Sequence, residues 1–328
     1  MTLILTASDL EQVIDMPSTI AAVEQVFADT VRGSARQPDP VAMTVPAGDS
    51  HFIVMPSLAS TQQASAVKLL ADIPSNAERG LPSQRSTLLL SDYRTGESLA
   101  ILDGRVPTRV RTAAASAVAS RHLARADASV LGLVGAGALA VAHVEALVHV
   151  LPLRRVVVWS RTRERVEQFR QAVAHHGLRV EAADDVASVF AVSDVVCTLT
   201  PSVEPLVKGA WFRAGQHINA VGARPRPTER EIDAEGLARA DVYVDHRGTV
   251  AAKSGDYLLA VGERGTEAIQ LRGELGEVVA GSVPGRGHQG AITLFNSVGI
   301  GLQDLAVGRL AYDRARERGL GCEIDLSA

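Results

Sequence analysis

Val130–Val134 is a run of five residues with no polar side chain, and it leads directly into Gly135-Ala136-Gly137-Ala138-Leu139-Ala140. A strand without polar alternation has to be covered on both faces, as strands of parallel sheets are. The G-x-G-x-x-A turn that follows opens a helix over 139–150 and fixes how the chain leaves that strand. The first glycine permits a tight turn, and the second lets the backbone approach a pyrophosphate. Ala140 is small enough for close helix–strand packing. The helix start presents unpaired N–H groups and a positive dipole end to a phosphate. The competing reading is a glycine-rich turn in an α/β fold that holds no nucleotide.

The pattern around this turn repeats. Arg155–Trp159 reads as the next strand, 163–176 as a helix, 180–182 as a strand and 186–191 as a short helix. Strands follow at 194–198, 217–221 and Asp241–Val244. Apolar strands alternating with helices predict a doubly wound parallel sheet of the Rossmann type, the second part of an α/β protein. The first part has a different texture. A helix over 8–31, N-capped by Ser8 and divided at Pro17, precedes short aliphatic runs at 41–45, 51–55, 66–71, 86–91 and 98–102. Turn chemistry separates these runs at Pro46-Ala47-Gly48-Asp49, Gly80-Leu81-Pro82 and Thr95-Gly96-Glu97. They predict a mixed or antiparallel sheet followed by an Ala-rich helix over 107–123. In the tail, 275–280 and 292–307 read as helical, and a helix over 301–318 leaves the Rossmann pattern and returns to the first part. The expected division is 1–125 completed by 301–328, and 126–300, in line with two domains for 328 residues.

Composition excludes several functions. Lys plus Arg number 33 against 37 for Asp plus Glu, a net charge of −4, and aromatics are 4%. A nucleic-acid partner is therefore not expected, since neither a basic stripe nor a stacking platform is present. No apolar run approaches the ~20 residues of a membrane span. Asp9 and Glu11 interrupt the start where a signal peptide would be apolar, so the expected location is the cytoplasm. Cys197 and Cys322 cannot form a disulfide framework or zinc knuckle, and Cys197 reads as a small core residue. The nine histidines have no metal-ligand spacing, so no metal is expected.

The end of the second Rossmann strand bears on the cofactor. An acid there binds the ribose 2′-hydroxyl of NAD. This chain has Trp159-Ser160-Arg161-Thr162 instead. Arg161 can pair with a 2′-phosphate, and Ser160 and Thr162 can donate to it. NADP(H) is favoured, with NAD(H) the alternative. The competing reading makes Ser160 or Thr162 a helix cap and Arg161 a solvated side chain.

Short motifs in a fixed order now accumulate: Gln37-Pro38, Met55-Pro56, Lys68, Asp103-Gly104, Arg111-Thr112-Ala113-Ala114, Gly135-Ala136-Gly137, Trp159-Ser160-Arg161-Thr162, Asn219-Ala220-Val221-Gly222, Ser254-Gly255-Asp256, Gly273-Glu274-Leu275-Gly276-Glu277-Val278 and Ser297-Val298-Gly299. Over nearly its whole length the chain resembles the ornithine cyclodeaminase/mu-crystallin family. The resemblance implies a Rossmann domain that binds the cofactor and a mixed α+β domain that binds substrate and forms a homodimer. It also implies chemistry at a C=N bond beside a carboxylate. Arg111 then matches the arginine that grips the substrate carboxylate, and Lys68 the lysine beside the reacting carbon. Without the family, Lys68 reads equally as an edge-strand lysine reaching outward, and Arg111 as a surface arginine near a helix start. The expected cofactor contacts are Thr112, Gly135, Ala136, Gly137, Ala138, Leu139, Ser160, Arg161, Thr162, Thr198, Leu199, Val221 and Ser297.

Two departures from the family shape the expected activity. Deaminating members have an acid shortly after the Asn-Ala-Val-Gly strand, whereas this chain reads Gly222-Ala223-Arg224-Pro225-Arg226-Pro227, with no acid before Glu229. Loss of a general base disfavours water attack at C2 and leaves hydride delivery to an imine feasible. Pro40 stands where members with amino-acid substrates have a second carboxylate-binding arginine, a charge that Arg85, Arg109 or Arg224 would have to replace. The expectation is an NADPH-dependent reductase of a small carboxylated imine, cyclic or open. The alternatives are an ornithine cyclodeaminase or alanine-type dehydrogenase, and an NADPH-binding protein with little turnover.

Overall fold

The structure, a computed structural model, describes residues 1–328 except Val45, Ala47, Pro225 and Ser327. In chain order the first elements are β1 (Thr2–Leu5), α1 (Ala7–Val13), α2 (Met16–Val31), β2 (Ala35–Arg36), β3 (Val41–Thr44), β4 (His51–Ala59), β5 (Ala64–Asp72), β6 (Gln84–Asp92), β7 (Ser98–Asp103) and α3 (Arg105–Leu123). Then come β8 (Val130–Val134), α4 (Ala138–Leu147), β9 (Arg155–Trp159), α5 (Arg163–Val173), β10 (Arg179–Ala182), α6 (Val186–Val192), β11 (Val195–Thr198), β12 (His217–Ala220), α7 (Ala234–Arg239) and β13 (Asp241–Val244). The last are α8 (Arg247–Lys253), α9 (Gly255–Arg264), β14 (Leu271–Glu274), α10 (Leu275–Val279), β15 (Thr293–Asn296), α11 (Gly301–Arg318) and β16 (Cys322–Ile324). The chain divides into two compact units, Met1–Arg111 with Ile300–Ala328, and Thr112–Gly299.

The first unit is a mixed sheet of order β16-β1-β7-β6-β5-β4-β2, with β3 on β4. Among the described residues only the β1–β7 pair is parallel. One face carries α11, which also packs on α2. Along β5 the usual alternation is inverted: Ala64, Ala66 and Lys68 point inward, while Val67 and Leu69 are 40% and 44% exposed. Val67 is paired with Pro56 and Leu89, and Leu69 with Val54, so the outer face of this sheet is apolar across three strands.

The second unit is an all-parallel sheet of order β10-β9-β8-β11-β12-β15-β13-β14. Its core includes Val134, Val157, Phe190, Val196, Phe212, Ile218, Leu237, Val242 and Leu294. The order around β8 reverses between β9 and β11, the position at which doubly wound sheets take ligands.

Several expectations need correction. Thr6, not Ser8, caps α1: its side chain accepts from Asp9 N while Asp9 accepts from Thr6 N, a reciprocal capping box. The segment 292–307 is not one helix. Thr293–Asn296 is an interior strand between β12 and β13, buried at all four residues. An apolar strand covered on both faces has no alternation to tell it from helix. The edge strands β2, β14 and β16, the strand β1 between β16 and β7, and the helices α7, α8 and α9 were not signalled by periodicity. The expected run 41–45 and turn Pro46-Ala47-Gly48-Asp49 each include a residue outside the described set, Val45 and Ala47. Among the described residues no helix is long and apolar enough to cross a membrane.

Candidate active site

Two of the expected residues meet in the first unit. Lys68 lies in the interior of the sheet, opposite Met55 of β4 and Leu88 of β6, and its side chain is 1% exposed. It is not an edge lysine. Its Nζ donates to Thr108 Oγ1 at 2.7 Å and to Asp304 Oδ1 at 3.0 Å. Arg111 stands three residues after Thr108 on α3, so both side chains occupy one helix face. The Arg111 Nη1 donates to Gln303 Oε1 at 2.7 Å, and its Nε lies 3.4 Å from Asp304 Oδ1. It is buried, not a surface arginine. Gln303 and Asp304 come from the first turn of α11, where the helix dipole also favours an anion. Burial pushes the Lys68 ammonium down to about 8, Asp304 pulls it back up, and Arg111 adds to the fall.

This cluster is unsaturated. Arg111 Nε, Asp304 Oδ2 and Gln303 Nε2 are buried without a hydrogen-bond partner among the described residues. The same holds for Nε2 of Gln37, whose Oε1 accepts from Leu302 N at 3.2 Å, at the start of α11. Buried polar atoms are nearly always paired, so orphans gathered around one ion pair mark where a polar ligand belongs. Reading the sequence missed Thr108, Gln303 and Asp304, and took Gln37 only as part of a motif with no role in the site. The available signal was two polar residues inside Gly301-Leu302-Gln303-Asp304-Leu305-Ala306-Val307, a run buried throughout.

The expected cofactor residues fall in the second unit, mostly at the carboxyl ends of its strands. Gly135 has φ +116°, and a Cβ there would sit 3.1 Å from Leu199 O, so both backbone and space call for glycine. Gly137 is the N-cap of α4, no side chain caps that helix, and a Cβ on it would meet nothing within 4 Å. Its smallness serves no protein contact, which fits a ligand approaching the turn where Ala136, Ala138 and Leu139 lie. Leu199 N bonds Val134 O, Val221 N bonds Thr198 O, and Ser297 N bonds Ala220 O, so Thr198, Leu199, Val221 and Ser297 continue one edge from β8 to β15. Ser160 Oγ accepts from Thr162 N at 3.4 Å. Thr162 is the N-cap of α5 by backbone conformation, but its side chain makes no capping bond. Arg161 is exposed. Thr112 is buried on α3, next to Arg111 in sequence.

The segment after β12 does not deliver a free acid. Glu229 Oε2 is 3.2 Å from Arg224 Nε, and its Oε1 is 3.2 Å from Arg226 Nη1. Arg224 also donates to Pro201 O at 3.3 Å. Neither Arg224 nor Glu229 is idle, and Pro225 between them lies outside the described residues. Arg109 pairs with Glu11 at 3.8 Å, and Arg85 is exposed on β6. A different acid is buried at these strand ends. Glu231 Oε1 accepts from Thr200 N at 2.8 Å and Thr200 Oγ1 at 2.6 Å, and burial pushes its carboxyl up to about 8. Asp256 accepts from Glu231 N and Ile232 N, and burial raises it to about 6.

The histidines are structural where they are buried. His143 Nδ1 bonds Leu139 O at 2.8 Å, its Nε2 meets Ser116 Oγ at 3.0 Å, and burial pushes it down to about 4. Among the described residues no group of three or more His, Cys, Asp or Glu side chains is placed to hold a metal.

A parallel sheet with a glycine turn at its switch point, joined to a mixed-sheet unit holding a buried Lys–Asp–Arg set, defines a two-unit α/β protein of the dinucleotide-fold class. The chain belongs to the ornithine cyclodeaminase/mu-crystallin family, whose model matches residues 1–319. It is 35% identical to the ketimine reductase mu-crystallin of Mus musculus over 287 residues, 88% of each chain. It is similar to the Δ1-pyrroline-2-carboxylate reductase of Thermococcus litoralis in complex with NADH and L-proline, with 33% identity and a TM-score of 0.94 over 98% of this chain and 100% of that one. An archaeal alanine dehydrogenase dimer with bound NAD gives 31% identity and a TM-score of 0.92, over 99% of each chain.

Proposed function

We propose that this chain is a nicotinamide-dependent reductase of small carboxylated imines. The observation that carries the reading is the buried Lys68–Asp304–Arg111 cluster with its unpartnered polar atoms. The guanidinium of Arg111, aimed by Gln303 and Asp304, would hold the substrate carboxylate through its remaining N–H groups. Lys68, whose ammonium is brought down by burial to about 8, would donate the proton that the imine nitrogen gains. Asp304 keeps that ammonium charged despite its burial. A reduced nicotinamide, when bound, supplies the hydride for the imine carbon. The residues that would hold the dinucleotide are the Gly135–Ala136–Gly137 turn and the start of α4 for the pyrophosphate, with Thr198, Leu199, Val221 and Ser297 along the same strand ends. Thr112 belongs to the same proposed set.

NADP(H) is the preferred form in this reading. The support is Ser160, Arg161 and Thr162 at the end of β9 and the lack of an acid there to repel a 2′-phosphate. The reductase reading is favoured over ornithine cyclisation or alanine dehydrogenation because Glu229 is engaged by Arg224 and Arg226. A homodimer through the apolar outer face of the first unit's sheet completes the proposal. Leu58, Val67, Leu69 and Leu89 are exposed on neighbouring strands there, and the similar alanine dehydrogenase is a dimer.

The test follows the fall in absorbance at 340 nm with NADPH or NADH and a panel of cyclic imines and keto acid–amine mixtures. Oxidation that requires a carboxylated imine, with NADPH bound at least tenfold more tightly than NADH and the difference removed by Arg161→Ala, is the expected result. Inertness toward every imine, with ammonia released from an amino acid, would overturn the reading.

A further inference from the structure

The cluster around Lys68 offers donors of a definite number and charge. Counting Lys68 as protonated, the two cations and Asp304 leave one net positive charge. The groups around Lys68 are Thr108 and Arg111 from α3, Asp304 from α11, and the uncharged Met55 and Leu88 opposite it on β4 and β6. Asp72 lies four residues further along β5. Gln303 is fully buried, yet only one end of its carboxamide is used: Oε1 accepts from Arg111, while Nε2 has no partner among the described residues. A glutamate of the same shape could take the Arg111 hydrogen bond. It would cancel the net charge and offer an acceptor where Gln303 offers a donor.

We propose that Gln303 determines substrate class by making this cluster a receptor for a single carboxylate. Its Oε1 aims Arg111, its Nε2–H₂ adds a donor beside the guanidinium, and its neutrality leaves one positive charge for one negative charge to match. The preferred substrates are then imines with one carboxylate next to the C=N carbon and an otherwise uncharged body, such as five- or six-membered cyclic imines. A second carboxylate would find no buried, unpaired cation among the groups that could replace the charge missing at Pro40: Arg109 and Arg224 are paired elsewhere, and Arg85 is exposed on β6. This rests on the reductase reading only for the word imine, because the recognition concerns the carboxylate.

The experiment compares wild type, Gln303→Glu and Gln303→Leu by calorimetric titration with pyrrole-2-carboxylate and pyrrole-2,5-dicarboxylate, planar rings with no reducible imine. Steady-state kinetics on a cyclic imine run alongside. Wild type should bind the monocarboxylate at least tenfold more tightly than the dicarboxylate. Gln303→Glu should lose at least tenfold in monocarboxylate affinity, raise KM more than it lowers kcat, and move the Lys68 limb of the pH profile upward. Gln303→Leu, which removes the hydrogen bonds but adds no charge, should weaken binding several-fold and leave that limb in place. Dinucleotide affinity, a property of the other unit, should be unchanged in both and serves as the folding control. If Gln303→Glu does not fold, the wild-type selectivity and Gln303→Leu still decide. Equal affinity of wild type for the two ligands, no binding of either, or unchanged affinity in Gln303→Glu would each overturn the proposal. A wild type that binds the monocarboxylate selectively but reduces no imine would refute the reductase reading alone.

Discussion

Replacing Asp304 by Asn keeps the volume and removes the one carboxylate that faces both Lys68 and Arg111. At 3.0 Å and an effective dielectric near 20, the carboxylate–ammonium attraction is worth about 5 kcal/mol. The ammonium has a cheaper way out than enduring that loss. Since it titrates at about 8, shedding its proton at pH 7 costs about 1.4 kcal/mol. The variant should therefore hold Lys68 neutral at pH 7, its titration moved down by at least about two units. The stability consequence follows from the sign of the shift. Lys68 is depressed in the folded state relative to its ordinary 10.5, so between 10.5 and 8 the unfolded chain binds more protons, and stability falls as pH drops through that window. In Asp304→Asn the fall continues to lower pH. The gap between the two proteins should be small near pH 9 and widen toward pH 5 by about 3 kcal/mol for a two-unit shift. The chain has only three lysines, Lys68, Lys208 and Lys253, so lysine labelled with ¹³C at Cε gives three signals, and the one lost in Lys68→Met is assigned. Guanidinium unfolding at pH 5 and 9 checks the stability side. If the Lys68 signal titrates at the same pH in wild type and variant, Asp304 is not its counter-ion and the account of the cluster is wrong.

Arg111→Lys keeps the charge but loses the planar fork, so KM for a carboxylated imine should rise at least tenfold while dinucleotide affinity stays; unchanged kcat/KM would move the site elsewhere. Gly222→Ala would place a Cβ 2.3 Å from Thr200 N and 2.5 Å from Glu231 Oε2, and neither the backbone nor the fully buried carboxyl has room to yield. A loss of at least 2 kcal/mol in stability, or of soluble protein, is expected; a variant as stable as wild type in thermal unfolding contradicts the packing. With ornithine and either NAD or NADP, a coupled ammonia assay should read background, and Glu229→Gln should leave imine reduction within a few-fold of wild type. Robust ammonia release abolished by Glu229→Gln would promote the cyclodeaminase.

The parallel sheet could be read from the sequence because β8 is apolar on both faces and runs directly into Gly135, whose φ of +116° calls for glycine, and because short, largely aliphatic strands alternate with helices after it. Val130–Val134, Arg155–Trp159 and Asp241–Val244 appear in the structure with the expected bounds. The same two-sided burial hid Thr293–Asn296, where an apolar strand next to an apolar helix leaves no periodicity to separate them. In the first unit, β5 could be located but not oriented, since Val67 and Leu69 face out and Lys68 faces in, against the usual rule. Lys68 and Arg111 were singled out by resemblance and then found on one carboxylate. Asp304 was invisible because its partners lie 236 and 193 positions away, and nothing local distinguishes a buried acid in a first helical turn from a solvated one.

The first unit is assembled from two stretches separated by 188 residues of the second. A ribosome therefore finishes β5, with Lys68 on it, long before it makes α11, and for all that time the lysine has neither its counter-ion nor the helix that covers it. The sheet cannot close over an unmatched ammonium without a penalty of several kcal/mol. The second unit, by contrast, is continuous in sequence and can fold as soon as Gly299 has cleared the exit tunnel. Synthesis from the N-terminus should thus yield the nucleotide-fold unit first, with the segment made earliest waiting for the segment made last. A chain halted at 299 should resist protease over 112–299 and be cleaved readily over 1–111.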